Sequence, residues 1–258
     1  ADVKAQGNVI VSGSVIGADK VDITSANKNI SLASADALVQ AKTINLSAKE
    51  NITETYDLEK GTGSKLITNY TTIDGEGKDV YNQGQLTINN GGTLDLGSKN
   101  NMLGFVNINN TSTKAEDFIK IGNTGNADLE LTIKNEAASD KKVAGSIDVH
   151  NYESAKEAQY NDVYVNEIYA KGDLKLTSDE DTDDTYVDRY GIFIGKIPEY
   201  HLGTEHKEYP GMIDVDGQLD LISKGIVNNE QAGIGQDGSE VEGGSISAGK
   251  DINIQAKI

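Results

Sequence analysis

The chain has 258 residues, with 41 acidic and 23 basic side chains and a formal net charge of −18. This charge argues against nucleic acid and anionic membrane surfaces as partners, because both are themselves negative. The sequence has no cysteine, which excludes disulfides, thiolate metal sites and cysteine nucleophiles. It also lacks an apolar run of about 18 residues, so we expect no membrane insertion by this segment.

Predicted strands follow one another along the whole chain. Apolar residues make up only 36% of the sequence, while 28 glycines and two prolines favour many tight turns. Apolar and polar residues alternate over four to six positions between Gly, Asn or Asp, which is the period of a half-buried strand. In chain order these stretches are residues 8–13, 20–26, 28–34, 42–48, 84–90, 92–98, 145–151, 172–178, 217–223 and 250–256.

The strands recur at a regular interval. Residues 168–178, 213–223 and 246–256 align without gaps, each as a strand, a glycine-containing bend and a second strand. One apolar position per unit recurs at steps of 18 to 24 residues: Ile23, Ile44, Ile67, Ile88, Ile108, Leu129, Ile147, Ile168, Ile192, Ile213 and Ile234. Short strands repeated at such a period predict an all-β solenoid, a parallel β-helix of about eleven coils of roughly 21 residues. An antiparallel sandwich is the alternative.

Three stretches resemble a known family. "ASADALVQAKTINLSA" (33–48), "KGDLKLTS" (171–178) and "SAGKDINIQA" (247–256) are similar to repeats of filamentous-haemagglutinin-type exoproteins and related autotransporter passengers of Gram-negative bacteria. The resemblance implies a right-handed parallel β-helix over residues 1–258, exported by the type V route as part of a longer exoprotein. It further implies a cell-surface adhesin that binds host or bacterial glycan or protein, by one-component or two-partner secretion.

Tyrosine is concentrated in the least repetitive region, residues 152–211, where we expect loops to project from the scaffold. Eight of the eleven tyrosines, the only arginine and all three histidines lie there or within two residues of it. Tyrosine suits recognition because its ring is apolar and its hydroxyl polar. The candidate ligand-binding residues are Tyr152, Tyr164, Tyr186, Arg189, Tyr190, Tyr200, His201, His206 and Tyr209. The alternative is that these tyrosines pack beneath the loops or cover coil ends.

The acidic stretch 179–188 is a candidate calcium site. Asp179, Asp181 and Asp183 match the first three ligand positions of a calcium-binding loop. Asp184 and Tyr190, however, occupy the positions where an EF-hand needs glycine and glutamate. A solvated acidic loop is the alternative, and we expect no other cofactor.

Carboxylates on one strand face raise the alternative of a polysaccharide-active enzyme. Asp214 and Asp216 point the same way by strand alternation, and Asp148 could occupy a similar place three coils earlier. Outward aspartates are also the ordinary polar face of a coil, so we expect no enzymatic activity. A purely structural spacer is a third possibility, and polar outer faces could support weak self-association.

Overall fold

A computed structural model describes residues 1–73, 75–77, 79–125, 127–153, 162–179, 191–195, 211–228, 233–234, 240–241 and 244–256. Throughout these ranges the regular secondary structure is β, in 29 strands, and all ten predicted strands are present. No helix in the described ranges is long and apolar enough to cross a bilayer. The all-β class is therefore confirmed.

The largest sheet has eleven strands, all joined by parallel pairing. They are β1 (Asp2–Ala5), β4 (Lys20–Ser25), β7 (Thr43–Ala48), β14 (Gln85–Asn90), β16 (Phe105–Asn110), β18 (Leu129–Lys134), β20 (Val163–Ala170), β22 (Gly191–Ile194), β23 (Met212–Val215), β25 (Ile226–Asn228) and β28 (Ser245–Ala248). The long strand β20 divides the sheet, because its first half pairs with β22 and its second half with β23.

The second sheet has nine strands and is also parallel throughout. They are β2 (Val9–Val11), β5 (Ile30–Leu32), β8 (Ile52–Glu54), β15 (Leu94–Leu96), β17 (Ile119–Asn123), β19 (Ile147–Asn151), β21 (Leu174–Ser178), β24 (Leu219–Ser223) and β29 (Ile252–Gln255). Each of these strands follows one from the eleven-stranded sheet, so the chain alternates between the two.

Smaller sheets complete the fold. β3 (Ser14–Ile16), β6 (Leu38–Gln40) and β11 (Lys65–Ile67) form a third parallel sheet. Three antiparallel pairs are β9 (Tyr56–Asp57) with β10 (Thr62–Gly63), β12 (Tyr70–Ile73) with β13 (Asp79–Asn82), and β26 (Gly233–Ile234) with β27 (Glu240–Val241). The long parallel sheets are compatible with a solenoid, whereas the antiparallel sandwich alternative is wrong.

The three gapless repeats stack directly on one another. Ile168 pairs with Ile213, and Ile213 pairs with Ile246, in the eleven-stranded sheet. In the nine-stranded sheet Leu174 pairs with Leu219, which in turn pairs with Ile252. The repeated segments therefore lie one above another in register, as their sequence similarity predicts.

The predicted count of about eleven coils of roughly 21 residues is not confirmed. The nine strands of the second sheet define nine layers, and the steps between their first residues range from 21 (Val9 to Ile30) to 45 (Leu174 to Leu219). The step of 42 residues from Ile52 to Leu94 resembles two repeats in length. It contains instead the two antiparallel pairs β9–β10 and β12–β13 and the third-sheet strand β11. Insertions of about one period thus imitate additional coils.

Three of the predicted equivalent positions accordingly lie outside the largest sheet. Ile67 belongs to the three-stranded sheet, Ile147 to the nine-stranded sheet and Ile234 to an antiparallel pair. The series of steps near 21 residues therefore does not correspond to one ladder of stacked side chains. The number of residues between two strands does not give the number of layers when an inserted loop is about as long as one repeat.

Aliphatic ladders between the sheets make up the core. Inward positions are almost all Ile, Leu or Val, and most of these side chains are fully buried. Glu54 interrupts one row, because it pairs with buried Leu32 at an inward position and is only 9% exposed. Its carboxyl oxygen Oε2 accepts hydrogen bonds from the backbone amide of Ser98 at 3.2 Å and from Asn101 Nδ2 at 3.0 Å. Burial raises the pKa of Glu54 to about 8.

Buried asparagines satisfy the backbone where the chain bends between sheets. Asn101, Asn123 and Asn151 are fully buried. Asn123 Nδ2 donates to Asn151 Oδ1 at 2.7 Å, and its Oδ1 accepts from the Leu103 amide at 2.8 Å. Asn101 Oδ1 accepts from the Leu66 amide at 2.8 Å. These side chains replace water as partners for backbone groups that the bend leaves outside the ladders.

Candidate functional site

A row of alternating charges runs along the outer face of the nine-stranded sheet. Five consecutive strands each place a charged residue between two buried aliphatic ones, so that alternation directs the charge outward. Pairing aligns these central residues in one line, here called the charged stripe: Asp95, Lys120, Asp148, Lys175 and Asp220. Neighbouring members lie on strands about 4.8 Å apart.

The stripe is locally neutralised but remains available for contacts. Each lysine lies between two aspartates, which attract it from both sides. Within the described ranges, however, Lys120, Asp148 and Lys175 form no ion pair within 4.0 Å. Asp220 is held more tightly, because Asn253 Nδ2 and Gln218 Nε2 each donate to it at 2.8 Å and lower the pKa of its carboxyl. The stripe therefore presents charged groups that a partner can pair with.

Tyr56 lies beside one end of the stripe. Its hydroxyl donates to Asp95 Oδ1 at 2.9 Å, and Lys120 Nζ lies 5.3 Å from the centre of its ring. Burial and the Asp95 carboxylate raise the pKa of the phenol far above its usual range. Gly97 makes room for the ring, since a Cβ there would be 2.5 Å from the Tyr56 hydroxyl oxygen. The residue therefore stays a neutral donor with an apolar face.

Tyr152 is the second aromatic group beside the stripe. It is half-buried and stacks on His150, with ring centres 3.8 Å apart and planes 18° from parallel. His150 Nε2 lies 2.7 Å from Asp179 Oδ2, which orients the imidazole. Burial raises the pKa of Tyr152. Two tyrosines thus border the charged residues, combining apolar area with charge on one face.

The predicted ligand-binding residues divide into two described residues and seven others. Tyr152 lies beside the stripe, stacked on His150. Tyr164 is only 2% exposed, lies in the other large sheet and stacks on Phe193 with ring centres 5.0 Å apart. Burial of Tyr164 fits the alternative in which tyrosines pack rather than bind. Outside the described residues lie Tyr186, Arg189, Tyr190, Tyr200, His201, His206 and Tyr209.

The predicted calcium site is described at one residue only. Asp179 contacts His150, whereas Asp181 and Asp183 lie outside the described residues. Among the side chains that the structure does describe, no group of three or more His, Cys, Asp or Glu could hold a metal ion. A calcium ion at 179–183 therefore stays a prediction.

The three aspartates of the enzyme alternative do not form one group. Asp148 lies on β19 of the nine-stranded sheet, whereas Asp214 lies on β23 of the eleven-stranded sheet. Lys142 Nζ lies 3.0 Å from Asp214 Oδ1 and 2.6 Å from Asp216 Oδ1. The expected similar placement of Asp148 is wrong, because equal spacing along the chain does not place residues on the same sheet.

Sequence reasoning singles out Asp148 but misses the other stripe residues. The signal is present in the sequence, since the centres of the strand triplets LDL, IKI, IDV, LKL and LDL read Asp, Lys, Asp, Lys, Asp. Four of these triplets, residues 94–96, 147–149, 174–176 and 219–221, lie within predicted strands, but local sequence does not show the order of those strands in the sheet. Tyr56 is missed because it lies on the two-residue strand β9, which is too short to show an alternating pattern.

Comparison of the chain with protein-family models finds no match, and comparisons with curated proteins and with solved structures find none either. The functional proposal therefore rests on the geometry of the described residues and on the resemblance of the repeats.

Proposed function

We propose that the chain is an adhesive segment of a Gram-negative cell-surface exoprotein, folded as a right-handed parallel β-helix. The two long parallel sheets support the helix, and the strong preference for right-handed crossover between parallel strands supports its hand. Nine layers at about 4.8 Å would span about 40 Å. The repeats similar to filamentous-haemagglutinin-type proteins support export by the type V route and display on the cell surface.

The charged stripe is the observation that carries the adhesive role. Two copies can pack face to face through a two-fold axis that lies in the contact plane and runs parallel to the strands. Because this axis is perpendicular to the stripe, it makes the two stripes antiparallel. In one such register Asp95 faces Lys175 of the other copy, and Lys120 faces Asp148. Symmetry doubles these contacts to four pairs of opposite charge. A two-fold axis along the stripe would instead make the two stripes parallel, and each charge would then face the same charge of the other copy.

The expected self-association is weak for a single pair of molecules. Exposed ion pairs contribute about 0–1 kcal/mol each, and a net charge of −18 repels copies at long range. Tyr56 and Tyr152 add apolar area at the rim of the contact. On a cell surface, many copies acting together multiply such weak contacts into firm attachment. The same face could also bind a host or bacterial protein with a matching charge pattern.

Charge exchange tests the antiparallel arrangement. We expect sedimentation equilibrium to show reversible dimers of the unmodified chain, weakened in about 0.5 M NaCl, where the Debye length is only a few ångströms. Lys120→Asp should weaken the dimer about tenfold, because it creates two Asp–Asp contacts. The double variant Lys120→Asp/Asp148→Lys should restore it, because opposite charges again face each other.

The matched control is Lys65→Asp, which makes the same charge change at an exposed position in the three-stranded sheet. It should leave the dimer unchanged apart from a small uniform effect of net charge. A monomer under all conditions, or failure of the double variant to restore association, would rule out this interface.

The remaining parts of the proposal concern the ligand and chemistry. Recognition of a glycan or protein by the tyrosine-rich residues 152–211 is tested by deleting residues 178–190 and measuring binding to a glycan array. The protein is proposed to have no catalytic role. New reducing ends or unsaturated products after incubation with acidic polysaccharides would contradict that statement.

A further inference from the structure

A groove of about 460 Å³ lies on the outer face of the eleven-stranded sheet, away from the charged stripe. Its lining is an aromatic ring surrounded by amide, hydroxyl and carboxyl groups. Lining residues include Lys42, Phe105, Asn107, Glu130, Thr132 and Asn166. A volume of this size falls within the range of ligand pockets in proteins, which is about 300–1,000 Å³.

Strand register builds the floor of the groove from two parallel rows. Phe105 and Glu130 are directly paired in the first row. Asn107 and Thr132 are paired in the second row, two residues further along the same strands and therefore on the same face. The floor thus places a half-buried aromatic ring beside a largely buried glutamate, with an amide and a hydroxyl alongside.

A β-bulge supplies the wall. Leu131 pairs with Val165 but Thr132 pairs with Glu167, so Asn166 is an extra residue in strand β20. Asn166 Nδ2 donates to Thr132 Oγ1 at 3.0 Å. Its Oδ1 is buried and accepts no hydrogen bond within the described part of the chain. Bulges occur next to binding sites because they redirect a side chain, and this one places Asn166 in the lining of the groove.

We propose that this groove binds a neutral saccharide. An aromatic ring packs against the apolar face of a sugar, while amide and carboxyl groups hydrogen-bond its hydroxyls. A neutral sugar is favoured over an acidic one, since Glu130 is a carboxyl group and Lys42 Nζ lies 3.6 Å from Asp19.

This inference goes beyond the proposed self-association, because it concerns a different sheet face and different residues. It is tested with a single-tryptophan reporter, since the natural sequence contains no tryptophan. Phe105→Trp places one indole in the groove. The probes are lactose, maltotriose, mannotriose and N,N′,N″-triacetylchitotriose, with hyaluronan tetrasaccharide as the acidic comparison. We expect a saturable emission shift with at least one neutral probe and a weaker response to the acidic probe.

Ligand-detected NMR on the chain with its natural Phe105 provides the second measurement. Phe105→Ala should reduce affinity for the responding neutral probe at least tenfold, and Asn107→Ala several-fold. Phe118→Ala is the matched control, because Phe118 is 40% exposed and adjoins a strand of the other large sheet. It should leave affinity unchanged, as should Lys120→Asp.

Three results would overturn the inference: no neutral probe binds, the acidic probe binds better, or Phe118→Ala weakens binding as much as Phe105→Ala. Because Lys120→Asp tests the stripe independently, failure of sugar binding and failure of self-association are separate outcomes.

Discussion

The outer faces of the two large sheets differ, although the same strand period builds both. On the nine-stranded sheet, β15, β19 and β24 alternate buried aliphatic with partly exposed polar residues. On the eleven-stranded sheet all four residues of β22 are buried, as are six of the eight in β20. The covered strands β20 and β22 carry the aromatic residues Tyr164 and Phe193 at outward positions, whereas the five stripe strands carry charges. An outward tyrosine is thus a binding candidate only where its sheet face is open.

Ionisation of Glu54, at an inward position of the nine-stranded sheet, has the largest expected effect on stability. Burial raises the pKa of Glu54 from 4.5 to about 8, so the folded state holds this proton more tightly than the unfolded state. The contribution of Glu54 to stability is therefore greatest below pH 4.5 and falls as pH rises to about 8. A shift of this size corresponds to at most about 5 kcal/mol.

Glu54→Gln keeps a hydrogen-bonding group but cannot ionise. The variant protein should therefore not lose this stability between pH 4.5 and about 8. Urea unfolding at several pH values measures the difference between the two proteins. Parallel stability curves would show that the inner face of the nine-stranded sheet is open to water at Glu54.

Truncation of aromatic side chains compares the two outer faces directly. Phe193→Ala should lower the free energy of unfolding by about 3–5 kcal/mol, because the ring is 1% exposed and stacked on Tyr164. Tyr152→Ala should cost less than about 2 kcal/mol, since Tyr152 is half-buried at the open face. Chemical denaturation of both variants measures this. Equal losses would remove the distinction between a covered and an open face.

Asparagine ladders give a smaller effect that depends on burial. Asn123→Ala should cost about 1–3 kcal/mol, because the Leu103 amide loses its buried acceptor and Asn151 loses a donor. Asn109 makes a similar ladder contact, with its Nδ2 donating to Asn89 Oδ1 at 3.2 Å, but at the surface. Asn109→Ala should therefore change stability by less than about 0.5 kcal/mol. Thermal unfolding of Asn123→Ala and Asn109→Ala tests whether water replaces the lost hydrogen-bond partner only at the surface position, Asn109.

Alternation in the sequence was enough to predict ten of the 29 strands and their inward residues. All ten predicted strands exist, and the three gapless repeats stack in register. The number of layers could not be predicted in the same way. The hairpin pairs between β8 and β15 have short strands and turns of their own, so by sequence they resemble further coils.

The sites were harder to predict than the strands. Tyrosine density pointed to residues 152–211, yet Tyr164 is buried and only Tyr152 lies at an open face within the described ranges. Burial of an outward residue depends on which distant segment covers it. The sequence around an outward residue does not show which distant segment covers it.

By itself the sequence determined the β class, the direction in which each side chain points and the in-register stacking of its closest repeats. These properties follow from a two-residue period and from hydrophobic burial, which act over a few neighbouring residues. Only the tertiary structure decided which outward residues become neighbours, because neighbours such as Asp95 and Lys120 are joined across strands from different layers. The charged stripe, the groove at Phe105 and the buried Glu54 all arise from that pairing.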